Sequence, residues 1–152
     1  MTDDILILTG PVRTGKTTRL LSWLSNKNKV YGIATPIIEN KRVLYDLFEK
    51  HYFPMEAGIA ENKILNIGKY TFSKSAFKKA EKVIDNGMHD SQFLVIDEIG
   101  PLELTGEGFC DVLERLLKLE KRNFIILLVI RESKLHEVLN YFGIKKYQIL
   151  AI

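Results

Sequence analysis

The chain reads as an α/β domain built on a mostly parallel sheet, and three observations carry that expectation. Short, wholly apolar runs recur at Ile5-Leu6-Ile7-Leu8, Phe93-Leu94-Val95-Ile96 and residues 124–130. Runs of this kind, without alternation, mark strands buried on both faces. Segments with apolar residues at helical spacing lie between them, the βα alternation of a layered fold. The first run passes through Gly10-Pro11 into a glycine-bearing loop that opens a helix.

Taken in order, residues 5–9 form the first strand, and residues 16–25 a helix whose stripe is Leu20, Leu21 and Leu24. Val30-Tyr31-Gly32-Ile33-Ala34 is a second strand. Ile37-Ile38, Glu39-Asn40-Lys41 and Val43-Leu44-Tyr45 have the pattern of a hairpin, and residues 64–67 and 70–72 that of further short strands. The stretch 37–72 therefore reads as a hairpin-rich insertion. Residues 73–85 are helical, with Phe77, Ala80, Val83 and Ile84 at compatible spacings and Asn86-Gly87 as a stop. Residues 93–96 form a buried strand expected to stop at Asp97-Glu98. Phe109, Val112, Leu113, Leu116 and Leu117 fall at i, i+3, i+4, i+7 and i+8, one helix face. Another buried strand over 124–130 follows, then a helix through Leu135, Val138, Leu139 and Phe142 closed by Gly143. Residues 147–152 can add a last strand.

Composition bounds the function classes. At 152 residues, about one domain is expected, spanning 1–152, with no repeat or linker. Hydrophobic residues make up 46% and charged residues 27%, which excludes disordered and fibrous chains. The net charge of +3 is too mild for a dedicated nucleic-acid binder. Cys110 is the one cysteine, so it forms no internal disulfide and reads as a core residue. His51, His89 and His136 lack the paired spacing of a zinc site. The N-terminus is acidic and its apolar run short, and no stretch approaches the ~20 residues of a membrane span. A cytoplasmic protein is the expectation.

The strongest motif is Gly10-Pro11-Val12-Arg13-Thr14-Gly15-Lys16-Thr17, which fits G-x-x-x-x-G-K-[ST] between strand and helix. Such a loop turns its backbone N–H groups onto phosphate oxygens, and glycines permit the turn. The helix that follows, with Thr17 and Thr18 in its first turn, adds its amides and positive dipole end. Lys16 would sit on the β- and γ-phosphates, and the Thr17 hydroxyl is a hard oxygen ligand for Mg²⁺. Asp97 and Glu98 end a buried strand, where ligands meet a parallel sheet. Asp97 suits a Mg²⁺ ligand, and Glu98 a base that deprotonates an attacking water.

Thr9 to Thr18 together with Val95-Ile-Asp-Glu-Ile-Gly-Pro-Leu-Glu-Leu104 resembles the small nucleoside-triphosphatases described from thermophiles, a family with a human cancer-related member. That family's second motif runs close to V-I-D-E-I-G-x-M-E-L. Lys41-Arg-Val-Leu-Tyr-Asp46 is similar to its R-x-G-F-D segment, and Gly68-Lys-Tyr70 with the helix from Ser73 to its G-x-Y strand and helix. The sequence departs in carrying Arg13 where the family has glycine in the loop, and Leu44 in place of the hairpin glycine. The resemblance implies Mg²⁺-dependent hydrolysis of ATP, GTP and other nucleoside triphosphates. It also implies a P-loop NTPase three-layer sandwich with an additional strand between the Walker A and Walker B strands.

Several residues keep two readings. Arg13 either leans over the phosphates or points to solvent. Arg131, at a strand end, contacts the nucleotide or pairs with an acid such as Glu132. Arg42 echoes the family's basic position or forms an ordinary ion pair. Glu103 positions a partner or cation, or is a solvated loop acid. Aromatics from Tyr45 to Phe53 stack bases or pack the hairpin. A small nucleoside or nucleotide kinase is an alternative, although the six arginines show no lid cluster. A nucleotide-binding regulatory module with negligible turnover is another. Oligomeric state, monomer included, is open.

Overall fold

The computed structural model describes residues 4–11, 15–55, 64–67 and 70–152. Ile5–Gly10 (β1) leads to Lys16–Leu24 (α1), and Val30–Ala34 (β2) follows. The next described elements are strands: Ile37–Ile38 (β3), Lys41–Asp46 (β4), His51–Pro54 (β5), Ile64–Ile67 (β6) and Tyr70–Ser73 (β7). Lys74–Gly87 (α2) and Phe93–Ile99 (β8) return to the α/β rhythm. Pro101–Leu104 (α3), Cys110–Leu117 (α4), Ile125–Arg131 (β9), Leu135–Phe142 (α5) and Gln148–Ile149 (β10) complete the chain.

The strand order is β10-β1-β9-β8-β2-β4-β3, with β5 on β4. From β10 to β2 all pairs are parallel, and β4 then joins β2 antiparallel. β9 thus lies between β1 and β8, the additional strand expected between the two motif strands. Side-chain alternation divides the core into two. Leu8, Val95, Leu127 and Val129 face α1 through Leu20 and Leu24. Their neighbours Ile7, Leu94, Ile96, Ile126, Leu128 and Ile130 face the other way, onto Phe77, Val112, Leu113 and Val138 of α2, α4 and α5. A period of two on strands with helices on both faces makes three layers.

Local chemistry explains two of the element ends. The Ser73 hydroxyl accepts the Ala76 N–H at 3.1 Å and caps α2. The β3–β4 hairpin turns on Glu39 and Asn40, whose φ values of 51° and 63° match a two-residue turn of the primed type.

Four expectations change. β8 does not stop at Asp97-Glu98 but runs to Ile99, because a register shift against β9 between Ile96 and Ile99 absorbs the two acids as a bulge. The bulge keeps Ile96 and Ile99 on the same buried face. β5 was not foreseen as a strand; it forms because the chain folds back onto β4, with Tyr45 opposite Tyr52. The short α3 carries no periodic signal at four residues. The last strand shrinks to Gln148–Ile149, since β1 supplies only two residues of pairing there.

Candidate active site

The loop after β1 is built at the carboxyl edge of the sheet. Gly10, the last residue of β1, pairs with Arg131 at the end of β9. Val12, Arg13 and Thr14 lie outside the described residues, and with them both readings of Arg13. Gly15 precedes α1 with φ 75° and ψ 28°. A Cβ there would meet nothing within 4 Å, so the left-handed backbone, not crowding, calls for glycine. Lys16 is only 7% exposed, and its ammonium donates to the carbonyls of Gly10 at 3.1 Å and Pro11 at 2.8 Å. Burial lowers its pKa; Glu98 and Asp97 oppose that, while Arg131 and Arg19 reinforce it. The ammonium is thus held at the loop mouth in a field of both signs. Thr18 is exposed on α1.

The acids meet this loop across the sheet. The Thr17 hydroxyl donates to Asp97 Oδ2 at 2.9 Å, although the two residues are 80 positions apart. The same oxygen accepts the N–H of Thr35, the residue after β2, at 3.0 Å. Asp97 is fully buried, and desolvation raises its pKa against the pull of these two donors. Among the described residues, the buried side-chain oxygens without a hydrogen-bond partner are Thr9 Oγ1, Thr35 Oγ1 and Asp97 Oδ1. All three belong to the carboxyl ends of parallel strands or the residue just beyond, on the edge where such sheets bind ligands. A buried carboxylate oxygen with no partner is costly unless a cation or proton meets it. Thr17 and Asp97, hard oxygens with a spare acceptor site, therefore fit Mg²⁺.

Glu98 follows with φ 63°, a left-handed conformation costly for a residue with a Cβ. The bulge and this φ turn its side chain away from where a regular strand would send it. Its Oε2 lies 3.1 Å from Arg42 Nη1, so Arg42 does enter the site region, as an ion-pair partner of the expected base. The same Nη1 donates to the Thr35 carbonyl at 3.2 Å. Arg131 stands beside Gly10 at the loop.

Glu103 fits neither of its expected readings. It is 2% exposed and accepts the N–H groups of Gly100 at 2.8 Å and Phe109 at 2.9 Å. Burial raises its pKa to about 7. It ties the turn after β8 to the start of α4, drawn inward by the apolar Leu102 and Phe109 on either side. Cys110 is buried, as expected. Lys78, Lys79, Lys145 and Lys146 are exposed faces, and no described helix is long and apolar enough to cross a membrane. Thr35 was not singled out from the sequence: its part is played mainly by backbone N–H and C=O, which leave no mark on residue type.

The family model described as NTPase matches residues 5–152. The chain belongs to the NTPase family. It is 28% identical over 160 residues to the nucleoside-triphosphatase THEP1 of Saccharolobus solfataricus, covering 90% of this chain and 91% of that protein. The crystal structure of THEP1 from the hyperthermophile Aquifex aeolicus superposes with a TM-score of 0.76 at 18% identity, over 96% of this chain and 88% of that one. The likeness shows the P-loop NTPase fold. Among the described residues, Lys16, Thr17, Asp97, Glu98, Arg42 and Arg131 bring charged and hard-oxygen groups to the carboxyl edge of the sheet.

Proposed function

We propose that the chain is a Mg²⁺-dependent nucleoside-triphosphatase that hydrolyses ATP, GTP and other nucleoside triphosphates to the diphosphate and phosphate. The observation that carries this reading is the 2.9 Å contact between the Thr17 hydroxyl and Asp97, one residue from Lys16 and one from Glu98. The backbone from Gly10 through Val12, Arg13 and Thr14 to Gly15, with the amides of Lys16, Thr17 and Thr18, would cradle the phosphates. Lys16 would exchange its loop-carbonyl contacts for β- and γ-phosphate oxygens. Thr17 and Asp97 would hold the Mg²⁺, which when bound neutralises charge on the β- and γ-oxygens. Glu98 would accept a proton from a water as its oxygen forms a bond to the γ-phosphorus. The bond from that phosphorus to the bridging oxygen breaks, and the diphosphate leaves with the electron pair. This reading takes residues 1–152 as one catalytic domain, acting in the cytoplasm on a small-molecule triphosphate.

The test is phosphate release from ATP, GTP, CTP and UTP, with and without Mg²⁺, by wild type and Glu98→Gln. The expected result is Mg²⁺-dependent release that falls at least about 100-fold in the variant, whose nucleotide binding persists. Transfer of phosphate to an added nucleoside instead of to water would establish the kinase alternative. Nucleotide binding without release from any of the four triphosphates would establish a binding module.

A further inference from the structure

We propose that Arg42 is a positioning residue for Glu98, so that the β3–β4 hairpin, and not the core alone, sets the aim of the catalytic carboxylate. The inference rests on the base role given to Glu98 above. Two features leave that carboxylate without ordinary support. The register shift in β8 takes it out of the regular ladder with β9, and its backbone sits at φ 63°. A strained residue of this kind persists only where its surroundings hold it.

Arg42 supplies the hold. It projects from β4, two strands from β8 in the order β8-β2-β4, and reaches across the end of β2. There its Nη1 meets Glu98 Oε2 at 3.1 Å and the Thr35 carbonyl at 3.2 Å. The Thr35 N–H in turn holds Asp97 Oδ2 at 3.0 Å. One residue thus braces both acids: its N–H fixes the carboxylate on the cation side, and its carbonyl anchors the guanidinium that fixes the carboxylate on the water side. The pair is well shielded, at 16% and 30% side-chain exposure, unlike the exposed Lys29–Asp90 and Arg115–Asp85 pairs. A planar guanidinium with donors in a fixed fork can satisfy a carbonyl and a carboxylate together, which a lysine ammonium does less well.

The test is a double-mutant cycle on the full chain with ATP and Mg²⁺, in which steady-state kcat and KM are measured and single-turnover rates stand in for kcat in the slowest variants. Arg42→Met should lower kcat about 10- to 100-fold, the cost of a misplaced catalytic group. KM and the affinity for a fluorescent triphosphate analogue should stay within about 2-fold. Arg42→Lys should recover part of the loss. In the Glu98→Gln background, Arg42→Met should cost less than about 2-fold, because a residue acting through Glu98 has nothing left to position. A full loss retained in that background overturns the proposal, since Arg42 would then act on substrate directly. So does an unchanged kcat, or a rise in KM alone. Should Arg42→Met fail to fold, Arg42→Lys carries the same cycle. Wild-type turnover by Glu98→Gln alone would refute the base assignment, a result read independently of any Arg42 variant.

Discussion

Glu103 makes the stability of this protein depend on pH in a direction opposite to that of most salt-bridged acids. Its carboxyl ionises near 4.5 in an unfolded chain and at about 7 in the fold, with burial as the largest cause. The raised value means that the native state prefers the protonated form. Its stabilising contribution is therefore complete below pH 4.5 and is lost as the pH rises through 7. Between pH 5 and pH 8 that loss amounts to about 2.5 kcal/mol, from linkage at about 1.4 kcal/mol per tenfold change in proton binding. At high pH the ionised group stays in place because the N–H groups of Gly100 and Phe109 still hold both its oxygens. Glu103→Gln removes the titration, and it turns one amide NH₂ toward a backbone donor, at a cost of about 1–3 kcal/mol that does not vary with pH. Urea unfolding of wild type and variant at pH 5 and pH 8 isolates the group, since every other titration cancels in the double difference. Wild type should lose about 2.5 kcal/mol more than Glu103→Gln over this interval. Equal losses in the two proteins would refute the reasoning.

Other outcomes follow from the same geometry. Lys16→Ala should weaken triphosphate binding about 10- to 100-fold, the worth of a charged hydrogen bond, measured by titration with a fluorescent analogue. Thr17→Val removes the hydroxyl beside Asp97 and should raise the Mg²⁺ concentration for half-maximal phosphate release by about 10-fold or more. Gly32→Ala should destabilise the fold by more than about 3 kcal/mol. Its Cβ would lie 2.1 Å from the Val95 carbonyl oxygen, at φ 114°, and urea denaturation or soluble yield would show the effect.

The elements that were legible in the sequence are those whose signal is local. The runs at residues 5–8, 93–96 and 124–130 could be buried only as central strands, and they are. The stripe in 109–117 could face only one way, and α4 buries it. The Gly-Lys-Thr pattern needs no long-range information, because the turn and helix start are set by neighbouring residues. The site was legible as two lists of residues, but not as an arrangement. The bulge at Asp97-Glu98 escaped because a run of apolar residues ending in acids looks the same whether the strand stops or bends. Glu103 was misread for a related reason: an acid four residues past the end of a strand looks solvated unless one knows that Leu102 and Phe109 carry it inward.

The amino-acid order by itself determined that this is a layered α/β chain with a loop suited to phosphate and an acid pair suited to a cation and a water. Those properties depend on side-chain type and on spacing over fewer than about ten residues, within the reach of one turn or one strand end. Only the tertiary structure decided which groups meet. Thr17 and Thr35 converge on Asp97 from 80 and 62 positions away, and Arg42 reaches Glu98 over the end of an intervening strand. Strand order sets those encounters, and it follows from how two apolar faces are shared among the helices on either side of the sheet, a global solution that no local pattern records.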